Sequence, residues 1–316
     1  MGYKSKIILL SALAAVLIVL FMTVGSNGNW EYVLPKRGVK VLAIILTGAS
    51  IAFSTIIFQT ITNNRILTPS IIGLDSLYLL IQTFIIFVFG SLSFVVINKY
   101  VNFAISVGFM VLFALFLYKL LFKKEGQNIY LLLLIGLVFG TLFSSLSTFM
   151  QVLIDPNEFL IVQNKMFASF NNVNTDLLGI SILIIIIIAL YFYKFIKYLD
   201  VLSLGREQAI NLGVQYDDLI KRLLIVVAIL VSIATALVGP ITFLGLLVAN
   251  VAHEYMRTYR HTYLILSSIL ISIIALVGGQ LIVERVFTFS TTLSVIINFI
   301  GGTYFLYLLL KESKKW

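Results

Sequence analysis

Few side chains in this sequence can do chemistry, and their spacing limits what kind. Among 316 residues there are two histidines, His253 and His261, and no cysteine. Disulfides and thiolate metal sites are therefore excluded, and a His-rich metal cluster has too few ligands. Asp217 and Asp218 stand together where an apolar run begins, a place where carboxylates favour the positive end of a helix dipole. The pair reads as structural, not catalytic. No G-x-x-x-x-G-K-[ST] phosphate loop occurs, so the chain carries no ATPase of its own. Without a clustered His, Asp or Glu site, no enzyme, metal or cofactor is expected. Polar chemistry gathers instead in three places. Ser144, Ser145, Ser147, Thr148 and Gln151 crowd the end of one apolar run, where hydroxyls either form a wet wall for a passing solute or bond between helices. Lys36, Arg37 and Arg285 flank apolar runs, where long cationic side chains reach lipid headgroups. Glu284, next to Arg285, offers a local ion pair. Finally, Ala209, Leu212 and Gly213 fall at helical spacing among charges. That stretch is either an amphipathic helix in the headgroup layer or one docked on a cytoplasmic partner. Ala209 and Gly213, four apart, put two small residues on one helical face, which another backbone can approach.

The elements that hold these residues are set by composition. The chain is 60% hydrophobic and 11% charged, against about 45–50% and about 25% in soluble domains. So few charges cannot cover a water-facing surface. An all-α, polytopic membrane protein is expected, forming a single domain over residues 1–316. Ten apolar segments can be read, over about 7–25, 39–61, 75–97, 101–122, 128–150, 177–198, 219–238, 241–256, 262–283 and 293–311. Most approach the roughly 20 residues that a spanning helix needs. The eighth is short and follows Gly239-Pro240, so a broken or partial span is expected there, lining a cavity rather than lipid. The first follows Lys4 and Lys6 like a signal peptide, yet its apolar run is longer than an h-region, which favours a retained span. Ionisable residues are almost absent from the spans away from their ends; Glu254 and Glu284 both lie near boundaries.

Charge gives the orientation. With the N-terminus inside, Lys36, Arg37, Lys40, Lys99, Lys165 and Arg285 lie outside and the other 16 of the 22 Lys and Arg lie inside, as the positive-inside bias requires. The net charge of +9 is read as this bias, not as affinity for nucleic acid. Two polar stretches break the pattern, 199–218 inside and 151–176 outside.

Four stretches carry a family resemblance. GREQAINLGV (205–214) resembles the G-x-x-x-A-x-x-L-G-V loop of the FecCD-type permeases, the membrane subunits of importers for iron–siderophores, haem and vitamin B12. VGPITFLGLLV (238–248) is similar to that family's A-G-P-I-x-F-V-G-L-x-V. QTITNNRILTPSIIG (59–73) is similar to Q-x-x-x-x-N-P-L-A-x-P-x-x-L-G, and MFASF (166–170) to a W-x-x-G-S-L stretch. The departures are Arg65 for the family's Pro after Asn64, Ala249-Asn250 for its Pro-His, and the missing Trp and Gly of the last stretch.

The resemblance implies a ten-span permease that pairs with a second permease chain, two cytoplasmic ATPase subunits and an extracytoplasmic substrate-binding protein. It implies that Gly205, Ala209, Leu212, Gly213 and Val214 form a short coupling helix to the ATPase. It implies that Lys36, Arg37 and Arg285 receive acidic residues of the binding protein. The fifth span, with its hydroxyl cluster, would line the path at the permease dimer interface. The expected cargo is an iron(III)–siderophore complex crossing a bacterial plasma membrane, with haem or vitamin B12 as alternatives. The rival is a secondary transporter driven by protons or sodium, which usually places ionisable residues inside its spans.

Overall fold

The computed structural model describes residues 2–25, 30–121, 129–171 and 173–313. Lys123, Lys124, Lys314 and Lys315, which contribute to the charge bias, lie outside the described residues. In chain order the helices are α1 (Tyr3–Thr23), α2 (Trp30–Thr62), a 3-10 turn (Pro69–Ile72), α3 (Leu74–Phe89), α4 (Phe94–Ile97), α5 (Lys99–Leu121), α6 (Ile129–Leu153), α7 (Pro156–Met166), α8 (Thr175–Tyr193), α9 (Ile196–Leu202), α10 (Arg206–Asn211), α11 (Tyr216–Val238), α12 (Leu244–Met256), α13 (His261–Arg285) and α14 (Leu293–Ser313). No strand occurs among the described residues. Each of the ten apolar segments contains a helix, and among the described residues seven helices are long and apolar enough to cross a bilayer. "Inner" below denotes the end bearing the N-terminus and the excess of Lys and Arg.

Two segments are shorter than their hydropathy suggests. The run 75–97 is not one helix: α3 stops at Gly90, which adopts φ 75. The next amide, of Ser91, donates to Glu158 Oε1 on α7 at 2.9 Å. A side chain of the outer polar stretch thus supplies the partner that the ended helix no longer does. That stretch is not loop throughout; it folds α7, with Asp155 as its N-cap. The second case is α12. Its 13 residues reach about 20 Å at 1.5 Å per residue, short of the roughly 30 Å hydrocarbon core, which is the partial span expected after Gly239-Pro240.

The core is built around α2 and α11, whose faces bury Ile56, Phe58, Leu223, Val227 and Val231, and around α13, which buries Leu276 and Val277 with Ala43 and Ile44 of α2. By contrast α1, α6 and α8 bury only a minor share of their spans within this chain. Leu134, Leu137 and Val138 of α6, among others, face outward. Exposed apolar helix faces of this length suit lipid or another membrane helix.

Candidate functional site

The stretch 205–214 folds as a compact turn at the inner end, not as a continuing amphipathic helix. α10 has six residues and ends at Asn211, with Leu212 as its C-cap. Gly213 takes φ 83, its amide donates to Ile210 O at 2.9 Å, and the Val214 amide donates to Ala209 O at 3.0 Å. This is the paired 5→2 and 6→1 bonding of a glycine C-terminal stop, which needs the left-handed backbone that glycine adopts without steric cost. The shared small-residue face expected for Ala209 and Gly213 is therefore absent, because the helix stops between them. Ala209 is buried at 0% exposure and packs with Leu199 and Leu202 of α9 and with α11. It seats the turn on this chain's own spans. The outward face is apolar instead: Leu204, Ile210 and Leu212 are 56%, 44% and 63% exposed. Gly205 is the N-cap residue of α10. Beside Gly213 and Val214 lies a groove of about 280 Å³, also lined by Phe195, Tyr198 and Arg222. Asp217, of the adjacent carboxylate pair, takes Arg206 at 3.3 Å across the turn.

Three of the four stretches that carry the family resemblance, 59–73, 166–170 and 238–248, meet in space. Ser169 N donates to Val238 O at 2.8 Å, which joins 166–170 to the end of α11. The 59–73 stretch is held from both sides at Arg65, whose carbonyl accepts from Gln59 Nε2 at 2.5 Å and from Asn250 Nδ2 at 2.9 Å. Arg65 and Asn250 also line an inner cavity of about 540 Å³ with His253, Arg257, Tyr259 and Tyr304. Deeper, Asp75 in the first turn of α3 is buried, and its carboxylate accepts from Thr235 at 3.4 Å and Thr242 at 3.3 Å. Asp75 is the first residue of its apolar segment in sequence, in the first turn of α3, so the scarcity of ionisable residues away from span ends stands, yet its carboxylate is buried within the bundle.

The hydroxyl cluster on α6 divides. Ser147 is buried and bonds Thr83 of α3 at 2.9 Å and Gln151 at 2.9 Å; these groups hold helices together. Ser144 donates to Ser76 at 3.1 Å. Ser145 and Thr148 are exposed, as is Thr141 one turn earlier; together they make a polar strip on a face this chain leaves open. Sequence reasoning did not include Thr141, although its spacing of four from Ser145 marks it. The strip is positioned by Gly136 and Gly140. A Cβ on Gly136 would stand 2.8 Å from Ile72 Cα, and one on Gly73 would stand 2.9 Å from Gly140 Cα. This close crossing of α6 over the 3-10 turn is what a Gly-x-x-x-Gly spacing permits in a membrane.

On the outer face, Arg37 and Arg285 are committed inside the chain. Arg37 Nη1 donates to the carbonyls of Phe21 and Val24, each at 2.8 Å, and of Met22 at 3.0 Å. Arg285 Nη2 donates to the same Val24 carbonyl. Both guanidinium groups occupy the unpaired carbonyl end of α1, where cations are favoured. The local Glu284–Arg285 pair does not form: Glu284 pairs with Lys40 at 2.9 Å and accepts from Gln280 at 3.0 Å. Lys36 is exposed. Nearby, burial and the neighbouring Lys99 lower the pKa of Lys165 on α7 from its ordinary value.

These features define an integral membrane subunit with a compact inner turn, an open polar strip and shortened apolar helices, the architecture of a transporter permease. The chain belongs to the FecCD transport family, whose model matches residues 8–311. It is 66% identical over 316 residues, covering 100% of both chains, to a petrobactin import system permease protein, YclO, of Bacillus subtilis. It is 39% identical over 280 residues, 89% of this chain and 79% of the relative, to the petrobactin import permease FatC of Bacillus anthracis. A solved metal-chelate type ABC transporter in an inward-facing conformation has the same fold, with a TM-score of 0.84, 22% identity and coverage of 98% of this chain and 100% of that one.

Proposed function

We propose that this chain is the membrane-spanning permease of an ATP-binding-cassette importer that carries ferric petrobactin, an iron(III)–siderophore complex, across a bacterial plasma membrane. The single observation that carries the cargo is the full-length 66% identity to a petrobactin permease. In this reading the cytoplasmic turn 205–214 docks on an ATPase subunit through exposed Leu204, Ile210 and Leu212, with Ala209 and Gly213 fixing its shape. Apolar side chains fixed on a rigid cytoplasmic turn suit a protein groove. An extracytoplasmic binding protein delivers the chelate to the outer face, where Lys36 is presented. A second permease chain covers the open face of α6, so that Thr141, Ser145 and Thr148 line the path between the two.

The test is uptake of radiolabelled iron as a panel of siderophores in a deletion strain, with and without ATP depletion. Loss of petrobactin-borne iron, restored by the wild-type gene but not by one with a disrupted 205–214 turn, is the expected result. Unchanged uptake of every chelate would remove the siderophore assignment. Uptake that survives ATP depletion but collapses with the proton gradient would replace the ATP-driven importer with a secondary transporter.

A further inference from the structure

The cytoplasmic turn must move the spans if it couples anything, and the physical link is a single imidazole. His261 is the first residue of α13 and is buried at 3% exposure. Its Nδ1 lies 2.7 Å from Asp200 Oδ1, and its backbone amide donates to the same oxygen at 2.8 Å. Asp200 belongs to α9, two residues before the buried Leu202 and directly ahead of the 205–214 turn. The N-cap residue of α13, Arg260, makes no capping bond. Asp200 takes that role from a different helix, placing a carboxylate at the positive end of α13. The other ring nitrogen, Nε2, pairs with Thr60 Oγ1 in the last turn of α2 at 2.8 Å, and Thr60 in turn donates to Ile56 O at 2.8 Å.

Three elements therefore meet at His261: the helix leading into the cytoplasmic turn, the start of α13 and the end of α2. The two spans are long struts. α2 and α13 pack along their length and are joined again at the outer end by Lys40 and Glu284 at 2.9 Å. A push on the turn reaches α9 through the buried Leu199, Leu202 and Ala209, and α9 has a directed polar grip on α13 through Asp200. Apolar packing alone slides at low cost, whereas a part-buried charge-assisted hydrogen bond fixes position and direction.

We infer that His261 is a positioning residue that transmits movement of the cytoplasmic turn to α2 and α13 together, with Asp200 and Thr60 as its two contacts. The inference rests on the ATP-driven reading above. It predicts a difference between the two ends of the ring. His261→Asn keeps a donor near Nδ1 for Asp200 and loses Thr60, His261→Gln favours the Thr60 end, and His261→Leu loses both. Thr60→Val removes one hydroxyl at constant shape.

The experiment uses the whole importer, permease chains and ATPase together, reconstituted in proteoliposomes with the binding protein and ferric petrobactin. It reads chelate moved per ATP hydrolysed, alongside the amount of ATPase retained in the purified complex. The expected result is an intact complex in which His261→Leu and Thr60→Val lower the transport-to-hydrolysis ratio by about tenfold, within the usual range of coupling between sites, with His261→Asn and His261→Gln each restoring part of it. A purely structural residue lowers transport and hydrolysis together and leaves their ratio alone. An unchanged ratio in Thr60→Val and in both amide variants, with wild-type vesicles transporting normally, overturns the inference. Wild-type vesicles that transport without ATP overturn the function itself, and the inference with it.

Discussion

The side-chain amide of Asn250 donates to the main-chain carbonyl of Arg65 at 2.9 Å, so two departures from the family pattern are in direct contact. Each departure alone looks like the loss of a motif residue. Together they form a donor–acceptor pair across the 59–73 and 238–250 stretches, with Gln59 as a second donor at 2.5 Å. Replacing Asn250 by Ala leaves Arg65 O one partner and is expected to cost about 0.5–1.5 kcal/mol, the net worth of one hydrogen bond whose acceptor keeps another donor. Thermal unfolding of the solubilised protein measures it. Asn250→His, the residue the family carries, retains a ring N–H and is expected to lose less. Equal stability of Asn250→Ala and wild type would show that the contact carries no energy.

The cytoplasmic turn separates shape from docking. Gly213→Ala forces a side chain into φ 83, a left-handed position that costs about 1–2 kcal/mol for an ordinary residue. It should loosen the turn and reduce ATPase retention. Leu212→Ala acts differently. The side chain is 63% exposed, so permease stability should shift by no more than about 0.5 kcal/mol, while ATPase co-purification falls if Leu212 fills a partner groove. Ala209→Trp should destabilise the permease itself, because the site is closed by its own core. If Leu212→Ala left ATPase retention intact, the turn would be a headgroup-lying segment after all.

Much of this was legible in the sequence because hydropathy reports spans directly, and each of the ten segments holds a helix. Gly239-Pro240 marks the half-span α12 for the same local reason. The contacts that decide the site are long-range and were not legible. Asp75 finds Thr235 from 160 residues away, and nothing near Asp75 announces a buried carboxylate. Arg37 and Arg285 read as free outer cations because the carbonyls they bind belong to the end of α1, whose partner atoms carry no side-chain signature. Ala209 read as a docking residue because a six-residue helix is too short for its periodicity to show which face is inward. Gly136 and Gly140 carry a visible spacing, but only the structure shows which element they admit.

The outer cations should part company on substitution. Arg37→Ala removes three bonds to the end of α1 and is expected to cost about 1–2 kcal/mol, less than a fully buried charged hydrogen bond because the site is partly open to solvent. Lys36→Glu should slow association with the binding protein, more so at low salt, since exposed charges act mainly on encounter. Association rates measured over a salt series, beside unfolding curves, distinguish the two. A stability loss from Lys36→Glu with an unaltered on-rate would remove Lys36 from the docking surface.

Asp75 decides between the two kinds of transporter. A buried carboxylate among hydroxyls is what an ion-coupled carrier would place in its interior, yet its position suits a structural role. It joins the start of α3 to the end of α11 and the segment entering α12 through Thr235 and Thr242. A neutral amide of the same shape can accept from one hydroxyl through its oxygen and donate to the other through its NH2, but it cannot take up and release a proton. Asp75→Asn is therefore expected to retain ATP-dependent uptake, and Asp75→Ala to lose stability by about 1–3 kcal/mol through the two stranded hydroxyls. Uptake assays in energised and gradient-collapsed cells provide the reading. If Asp75→Asn abolished uptake while the protein stayed folded, the carboxylate would be working as a charge, and the case for an ion-coupled step would be reopened at this residue.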